Sequence, residues 1–358
     1  MRKNYKRLIS IVAVLAMITL LVAACQQDTP AAPAPAPEAP AAPAPEAPAA
    51  EAPAAEAPAT GGTGKYLKDN YLVIGIPKVV HPWYDDVVIG AERAVAELAE
   101  MGITVEFEWS APPEADVILH TQRLETAAAR NPDGIFVSSL DSAANTTTIN
   151  EIVASGIPVV TYDSDAAESN RYTFIGNADD EADGARAAEA LADLMGEEGE
   201  VAFLVGSLGA PNHIGRIQGA RDKLAEFPGI SIVADPSDND DMQRAMELTE
   251  DILRANPNVR GFYSPNAGSN VAIPTVVLEM GKEDEIFIVG HDDLPECLQF
   301  IHDGIVDISF VEYVQEMGYW SVMYLLELAD GREVPDYHEV GSFKVTRETI
   351  GDFYPEFR

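Results

Sequence analysis

The side chains able to do chemistry gather in a few short segments: Lys78 to Tyr84, Ser138 to Asp141, Asp163 to Asp165, Ser207 to His213, Pro265 to Gly268 and His291 to Asp293. They are rich in carboxylates, amides and aromatics, groups that hydrogen-bond and stack rather than form covalent intermediates. Gly206-Ser207-Leu208-Gly209 offers a serine after a strand. It lacks the Gly-x-Ser-x-Gly elbow, because Val205 and Gly206 stand where Gly-x would be needed. His81, His120, His291, His302 and His338 show no metal-ligand spacing, so no metal is expected. No Gly-x-Gly-x-x-Gly or Walker loop follows a strand, so neither a nucleotide nor any other cofactor is expected. Leu294-Pro-Glu-Cys-Leu reads as a helix start, which makes Cys297 a packed thiol; apart from Cys25 it is the only cysteine, so no internal disulfide can form.

These segments sit between short β-branched runs and helical patterns that alternate along the chain. Tyr71 to Pro77 is a buried strand, Tyr84 to Met101 a helix stopped by Gly102, and Val105 to Trp109 a second strand. A helix near Ala115 to Arg130, strands Gly134 to Ser138 and Pro158 to Tyr162, and a helix near Ala143 to Ser155 complete one series. After Asn177 the pattern restarts with helices Glu181 to Met195 and His213 to Phe227 around a strand Val201 to Val205. Ile230 to Val233, Gly261 to Tyr263 and Ile286 to Val289 supply further strands. Continuous apolar strands alternating with helices mean parallel sheets covered on both faces. The fold class is therefore α/β, with two doubly wound parallel-sheet lobes. Ligands of such sheets bind at the carboxyl ends of the strands, which is where the polar segments lie.

The chain begins differently. Arg2, Lys3, Lys6 and Arg7 precede an apolar run, Leu8 to Ala24, ending Leu21-Val22-Ala23-Ala24-Cys25. A basic, then apolar, then small-residue order predicts a secretion signal over 1–24. The cut before Cys25 resembles the lipobox of bacterial lipoproteins, which implies lipidation of the Cys25 sulfur and anchoring at a membrane. Residues 25–64 then form a linker dominated by Ala, Pro and Glu and closed by Thr60-Gly61-Gly62-Thr63-Gly64. Such a stretch cannot bury a core, and proline holds it near polyproline II. At about 3.1 Å per residue its almost wholly Ala, Pro and Glu part, Ala31 to Gly64, reaches roughly 100 Å. With 59 acidic against 23 basic residues the net charge is −36. That balance argues against a nucleic-acid partner and against lying on anionic lipid.

Ile76-Pro77-Lys78-Val79-Val80-His81-Pro82-Trp83-Tyr84, the Gly156 to Asp165 segment and Val289-Gly290-His291-Asp292 resemble type I periplasmic sugar-binding proteins, the ribose-binding-like receptors of ABC importers. The similarity runs over about 70–345. The Ile-Pro-Lys and Asp-Ser-Asp turns lean toward the autoinducer-2 and rhamnose receptors. The resemblance implies two lobes joined by three crossovers, placed near Asn177, Asp292 and Glu312. The expected lobes are 65–177 with about 313–338, and 178–312 with about 339–358.

A sugar site needs bidentate hydrogen-bonding groups and a flat apolar surface. The resemblance assigns stacking to Trp83 and Tyr84 and hydroxyl binding to Asp163, with Asp165 either a second contact or a turn cap. Arg216, Asn266 and Asp292 match family contacts in the second lobe, and Glu312 falls near a crossover where the ribose type has glutamine. Lys78 reaches the ligand in the autoinducer-type subgroup, and Pro265 and Ala267 would match its backbone-carbonyl contacts. Asn212-His213 stands where autoinducer-2 receptors have Asp-Gln, and Arg216 is ribose-like, so the site is mixed. His213 is either a hydroxyl donor or a surface cap. The implied function is capture of a small sugar or polyol by a monomer that delivers it to an ABC permease, with no enzymatic step. The alternative is the same module acting as a signal receptor for a chemoreceptor or sensor kinase.

Overall fold

The computed structural model describes residues 65–177 and 179–358. The expected leader, Cys25 and the Ala/Pro/Glu linker lie outside these residues.

The first βα series gives β1 (Asn70–Ile76), α1 (Tyr84–Glu100), β2 (Thr104–Trp109), α2 (Val117–Ala128), β3 (Gly134–Val137), α3 (Ser142–Ala154), β4 (Val159–Tyr162) and β5 (Phe174–Gly176). The second gives α4 (Asp180–Met195), β6 (Glu198–Phe203), α5 (Pro211–Leu224), β7 (Gly229–Ala234), α6 (Met242–Ala255), β8 (Val259–Tyr263), α7 (Ser269–Glu279), β9 (Phe287–His291), α8 (Pro295–Asp303) and β10 (Ile308–Glu312). The chain then adds α9 (Val314–Ala329), β11 (Tyr337–Glu339), β12 (Ser342–Thr346) and α10 (Ile350–Phe353).

Two sheets result, ordered β11-β5-β4-β3-β1-β2 and β12-β10-β9-β8-β6-β7. Every pairing in the first is parallel. The second is parallel except for its edge, where β12 runs antiparallel to β10. This is the expected pair of doubly wound lobes, each with a switch point between its first and third strands. All residues of β3 and β4 are buried, as strands covered on both faces must be. Each Ile or Phe so buried contributes about 1.5–3 kcal/mol.

The chain passes between the sheets three times: from β5 to α4 through Asn177, from β10 to α9 through Tyr313, and from β11 to β12 through 340–341. These crossings are zipped side by side. Val340 N donates to Gly176 O at 3.0 Å, and Tyr313 N to Gly341 O at 3.2 Å. The expected crossings at Asn177 and Glu312 stand. The one placed at Asp292 does not: β9 is followed by α8 and then by β10, which pairs with β9 in the same sheet. A strand end followed by a Pro-initiated helix looks alike whether the chain stays in its lobe or leaves it. The third crossing follows β11, a strand only three residues long, near the 338/339 boundary between the expected lobes.

Close helix pairs fix each lobe. A Cβ on Gly90 of α1 would lie 1.8 Å from Gln315 O on α9, and one on Gly184 of α4 would lie 1.8 Å from Arg216 O on α5. Only glycine lets these backbones meet. The second contact sets the position of Arg216.

Candidate functional site

The carboxyl ends of the strands in both sheets meet in one cleft. It is lined by Lys78, His81, Trp83, Tyr84 and Asp163 from the first lobe, and by Asn212, His213, Arg216, Asp240, Asn266, Ala267, Gly268 and Asp292 from the second. The β1–α1 turn delivers Lys78, His81 and Trp83. Tyr84 N donates to His81 O at 3.1 Å, closing the turn that starts α1. Asp163 and Asp292, at the ends of β4 and β9, both have left-handed backbone, with φ of 57° and 76°. Asp tolerates that region better than most residues, and here it swings each carboxylate off the strand into the cleft.

Asp163 is the hub of the first lobe. Its Oδ2 accepts from Ser138 Oγ at 2.5 Å and Tyr84 OH at 3.2 Å, and lies 3.3 Å from Lys78 Nζ. Lys78 and Asp163 are 5% and 7% exposed, so the pair works where water screens it little. Trp83 and Tyr84 stand edge to face, with centroids 5.1 Å apart at 88°.

Two side-chain hydrogen bonds join the lobes across the cleft. Asn212 Nδ2 donates to Asp163 Oδ1 at 2.8 Å, and Trp83 Nε1 donates to Asp292 Oδ1 at 2.8 Å. Burial pushes the Asp292 carboxyl up to about 8, with Arg216 opposing and Glu312 adding to the rise. Near neutral pH this carboxyl is largely protonated in this arrangement.

Arg216 anchors the second lobe from the first turns of α5. Its Nη2 donates to Glu312 Oε2 at 2.8 Å and its Nη1 to Pro265 O at 3.1 Å, while Nε lies 3.5 Å from Asp180 Oδ1. Burial disfavours the cation, but Glu312 and Asp180 outweigh it and raise the guanidinium above its usual range. Asp180 is itself pushed up to about 7, mainly by burial, against the pull of Arg216. Asp180 follows the first crossing and Glu312 precedes the second, so Arg216 ties two crossings together.

His213 is 4% exposed, so it is no surface cap. Its Nδ1 accepts from Ser207 N at 3.0 Å, which leaves the proton of the neutral ring on Nε2. Burial, reinforced by Lys78, lowers it to about 4 and keeps it neutral. A Cβ on Gly206 would lie 2.4 Å from that Nδ1, so glycine is needed for the ring to approach.

Not every candidate reaches the cleft. Asp165 turns away: Arg171 grips it with Nε and Nη2 at 2.6 Å each, Thr161 Oγ1 donates at 2.5 Å, and Ala166 N caps at 2.8 Å. It is a turn-building residue. The carboxylate of Glu312 and the carbonyl of Pro265 are taken by Arg216, so both stand behind the cleft wall. Lys78, Trp83, Tyr84, Asp163, His213, Arg216, Asn266, Ala267 and Asp292 are brought together. Among residues not counted as site candidates, Asn212, His81 and Asp240 line the same cleft. Asp240 lies in the turn after β7, so the rule that ligands sit at the carboxyl ends of strands is the signal that points to it. Cys297 is buried beside Asn270 Nδ2, at 3.2 Å, a packed thiol.

The family model described as periplasmic binding protein domain matches residues 72–333. The D-allose-binding periplasmic protein of Escherichia coli (strain K12) is 24% identical over 298 residues, covering 80% of this chain and 94% of that one. The crystal structure of an ABC transporter solute binding protein from Burkholderia graminis C4D1M in complex with D-arabinose is 31% identical with a TM-score of 0.73, covering 78% of this chain and 96% of that one. GanP, a glucose-galactose binding protein from Geobacillus stearothermophilus, is also 31% identical with a TM-score of 0.73, over 78% and 99% of the two chains. With two wound lobes, three crossings and a polar cleft at the strand ends, this chain belongs to the periplasmic binding protein domain family.

Proposed function

We propose that this protein captures a small neutral sugar or polyol between its lobes and presents the closed form to an ABC permease. The observation that carries the reading is the cleft itself: carboxyls, amides and a lysine from both lobes converge beside an aromatic pair, the donor set a polyhydroxylated ligand needs. The relatives fit, since solved neighbours are described with D-arabinose or as glucose-galactose binders. Closure is the mechanism. A ligand that touches both lobes stabilises the closed state by its differential affinity for it. The ligand contacts we assign are Lys78, Trp83, Tyr84, Asp163, His213, Asn266, Ala267 and Asp292, with Arg216 at the rear wall. No enzymatic step is invoked.

Lys78 in the cleft supports the resemblance to the autoinducer-2 and rhamnose receptors at that position, whereas Asn212-His213 and Arg216 favour receptors of ordinary pentoses and hexoses. No helix among the described residues is long and apolar enough to cross a membrane. On the basic, apolar and small-residue run that ends Leu21-Val22-Ala23-Ala24-Cys25, we assign membrane attachment to a lipid on Cys25, with residues 25–64 as tether and the folded part acting as a monomer. Titration calorimetry with D-allose, D-ribose, D-arabinose, D-galactose and rhamnose tests the sugar reading, and failure of all of them to bind would refute it. For the anchor, Cys25→Ala should release a soluble, ligand-competent protein. A correctly processed variant still found on membranes would show the anchor assignment wrong.

A further inference from the structure

One end of the cleft holds two groups that the ligand contacts above do not use. Asp240 reaches it from the turn between β7 and α6. Asn239 and Asp240 are consecutive left-handed residues, with φ of 58° and 60°, a conformation that costs non-glycine residues roughly 1–2 kcal/mol each. Three neighbours hold the turn. Asp240 N donates to Asp238 Oδ1 at 2.8 Å, Ser269 Oγ donates to Asp238 Oδ2, and Asn266 Nδ2 donates to Asp240 Oδ1 at 2.9 Å. The Asp240 side chain is only 12% exposed. Its Oδ2 is buried and has no hydrogen-bond partner among the described residues, although a carboxylate oxygen at such a place ordinarily finds a donor. Burial alone would raise its pKa, but the nearby charge of Lys78 and the Asn266 hydrogen bond are among the interactions that hold it below the usual range, so it is an ionised acceptor.

His81 comes from the opposite lobe. Its Nδ1 accepts from Trp83 N at 3.2 Å, which puts the proton of the neutral ring on Nε2. Burial, with Lys78 beside it, lowers its pKa and favours that neutral form against the pull of Asp240. Nε2 faces the 266–268 turn across the cleft, since a Cβ on Gly268 would lie 3.8 Å from it. The same turn carries the Asn266 that holds Asp240. An acceptor and a donor from different lobes thus flank one end of the cavity.

We propose that His81 and Asp240 form a hydroxyl-reading pair in which Asp240 Oδ2 accepts the hydrogen of one ligand hydroxyl and His81 Nε2–H donates to the oxygen of the same group. A single hydroxyl satisfies both, so the pair selects sugars with a hydroxyl at that position. It also favours lobe closure, because neither partner alone supplies both bonds. The negative charge of Asp240 repels a carboxylate or phosphate there, so sugar acids and sugar phosphates are rejected. This inference rests on the sugar-binding reading and adds one position of specificity to it.

The test is calorimetry on the full chain with D-allose, D-ribose, D-arabinose and D-galactose, then with each singly deoxygenated form of the tightest binder. Asp240→Asn and Asp240→Ala should each weaken that sugar by about 10- to 100-fold, the worth of one hydrogen bond to a charged group, and His81→Ala by about 3- to 10-fold, the worth of one from a neutral donor. For one deoxy form the same substitutions should change little. The double variant H81A/D240A should lose less than the two single losses combined, and His81→Gln, which keeps a donor, should recover part of the loss. Thermal melts show which variants fold, and D240N keeps the size of the side chain should D240A fail. If the natural protein binds a sugar but every variant stays within twofold, or if all deoxy forms respond alike, the pair is wrong and the sugar reading survives. If no sugar binds the natural protein, both fall together.

Discussion

Replacing Glu312 with alanine tests whether Arg216 is held by charge pairing rather than by packing. Glu312 Oε2 is 2.8 Å from Arg216 Nη2, and both side chains are almost fully buried, at 4% and 3% exposure. Removing one partner of such a pair ordinarily costs about 3–5 kcal/mol, because the survivor keeps its desolvation cost without its counter-charge. Asp180 lessens that here. Its pKa is pushed up to about 7 by burial, and the repulsion of Glu312 adds to the rise. With Glu312 gone that repulsion disappears, Asp180 ionises more fully at pH 7, and Arg216 retains one carboxylate at 3.5 Å. The expected loss is therefore about 3 kcal/mol, near the lower end. At roughly 2–4 °C per kcal/mol for domains of this scale, the melting temperature should fall by about 6–12 °C. The double variant D180N/E312Q leaves the cation without either of these carboxylates, and its loss should exceed the sum of the single losses by about 1–3 kcal/mol. Urea unfolding and calorimetric melts at pH 7 read both effects, with E312Q as the control that keeps shape. A Glu312→Ala variant within 1 kcal/mol of the natural protein, or strictly additive losses, would refute this account.

Asp165→Ala should lower stability through the lost grip on Arg171 yet leave sugar affinity within about twofold by calorimetry; a tenfold loss would return Asp165 to the cleft. Asp292 gives a pH test: its folded pKa of about 8 lies above the unfolded value near 3.9, so its stabilisation is fully present below about pH 4 and is lost as pH rises through 8. Urea unfolding of the natural protein and D292N at pH 5, 7 and 9 should show the variant gaining, relative to the natural protein, a few kcal/mol as pH rises; a trend of opposite sign would mean that the carboxylate is stabilised as the anion. Gly184→Ala forces a Cβ to 1.8 Å from Arg216 O, so α5 must move. Sugar affinity and melting temperature should drop together, and a variant with either one unchanged would separate this helix contact from the site.

The alternation of apolar runs with helical patterns was enough to read two wound lobes, because a strand covered on both faces must be apolar throughout. The rule that ligands sit at the carboxyl ends of strands located most of the cleft, and it extends to the turn after β7, which carries Asp240. Family resemblance placed Lys78, Trp83, Asp163, Asn266 and Asp292 among the cleft residues. Local sequence did not distinguish Asp163 from Asp165. They are two residues apart in the same kind of turn, and only a left-handed φ of 57° at the first sends one carboxylate into the cleft and leaves the other to Arg171.

What the sequence by itself determined is the periodic part: most of the strands and helices of the two wound series and the turns between them. Only the tertiary structure decided which side chains meet. Arg216 and Glu312 are 96 residues apart, and Trp83 and Asp292 are 209 apart. Their pairing depends on helices brought together at glycines and on lobes brought together across three crossings, the last of them after a three-residue strand. Periodicity reports the environment of one element at a time. A donor and an acceptor from different lobes share no local signal, so the pairing of His81 with Asp240 becomes visible only once the two sheets face each other.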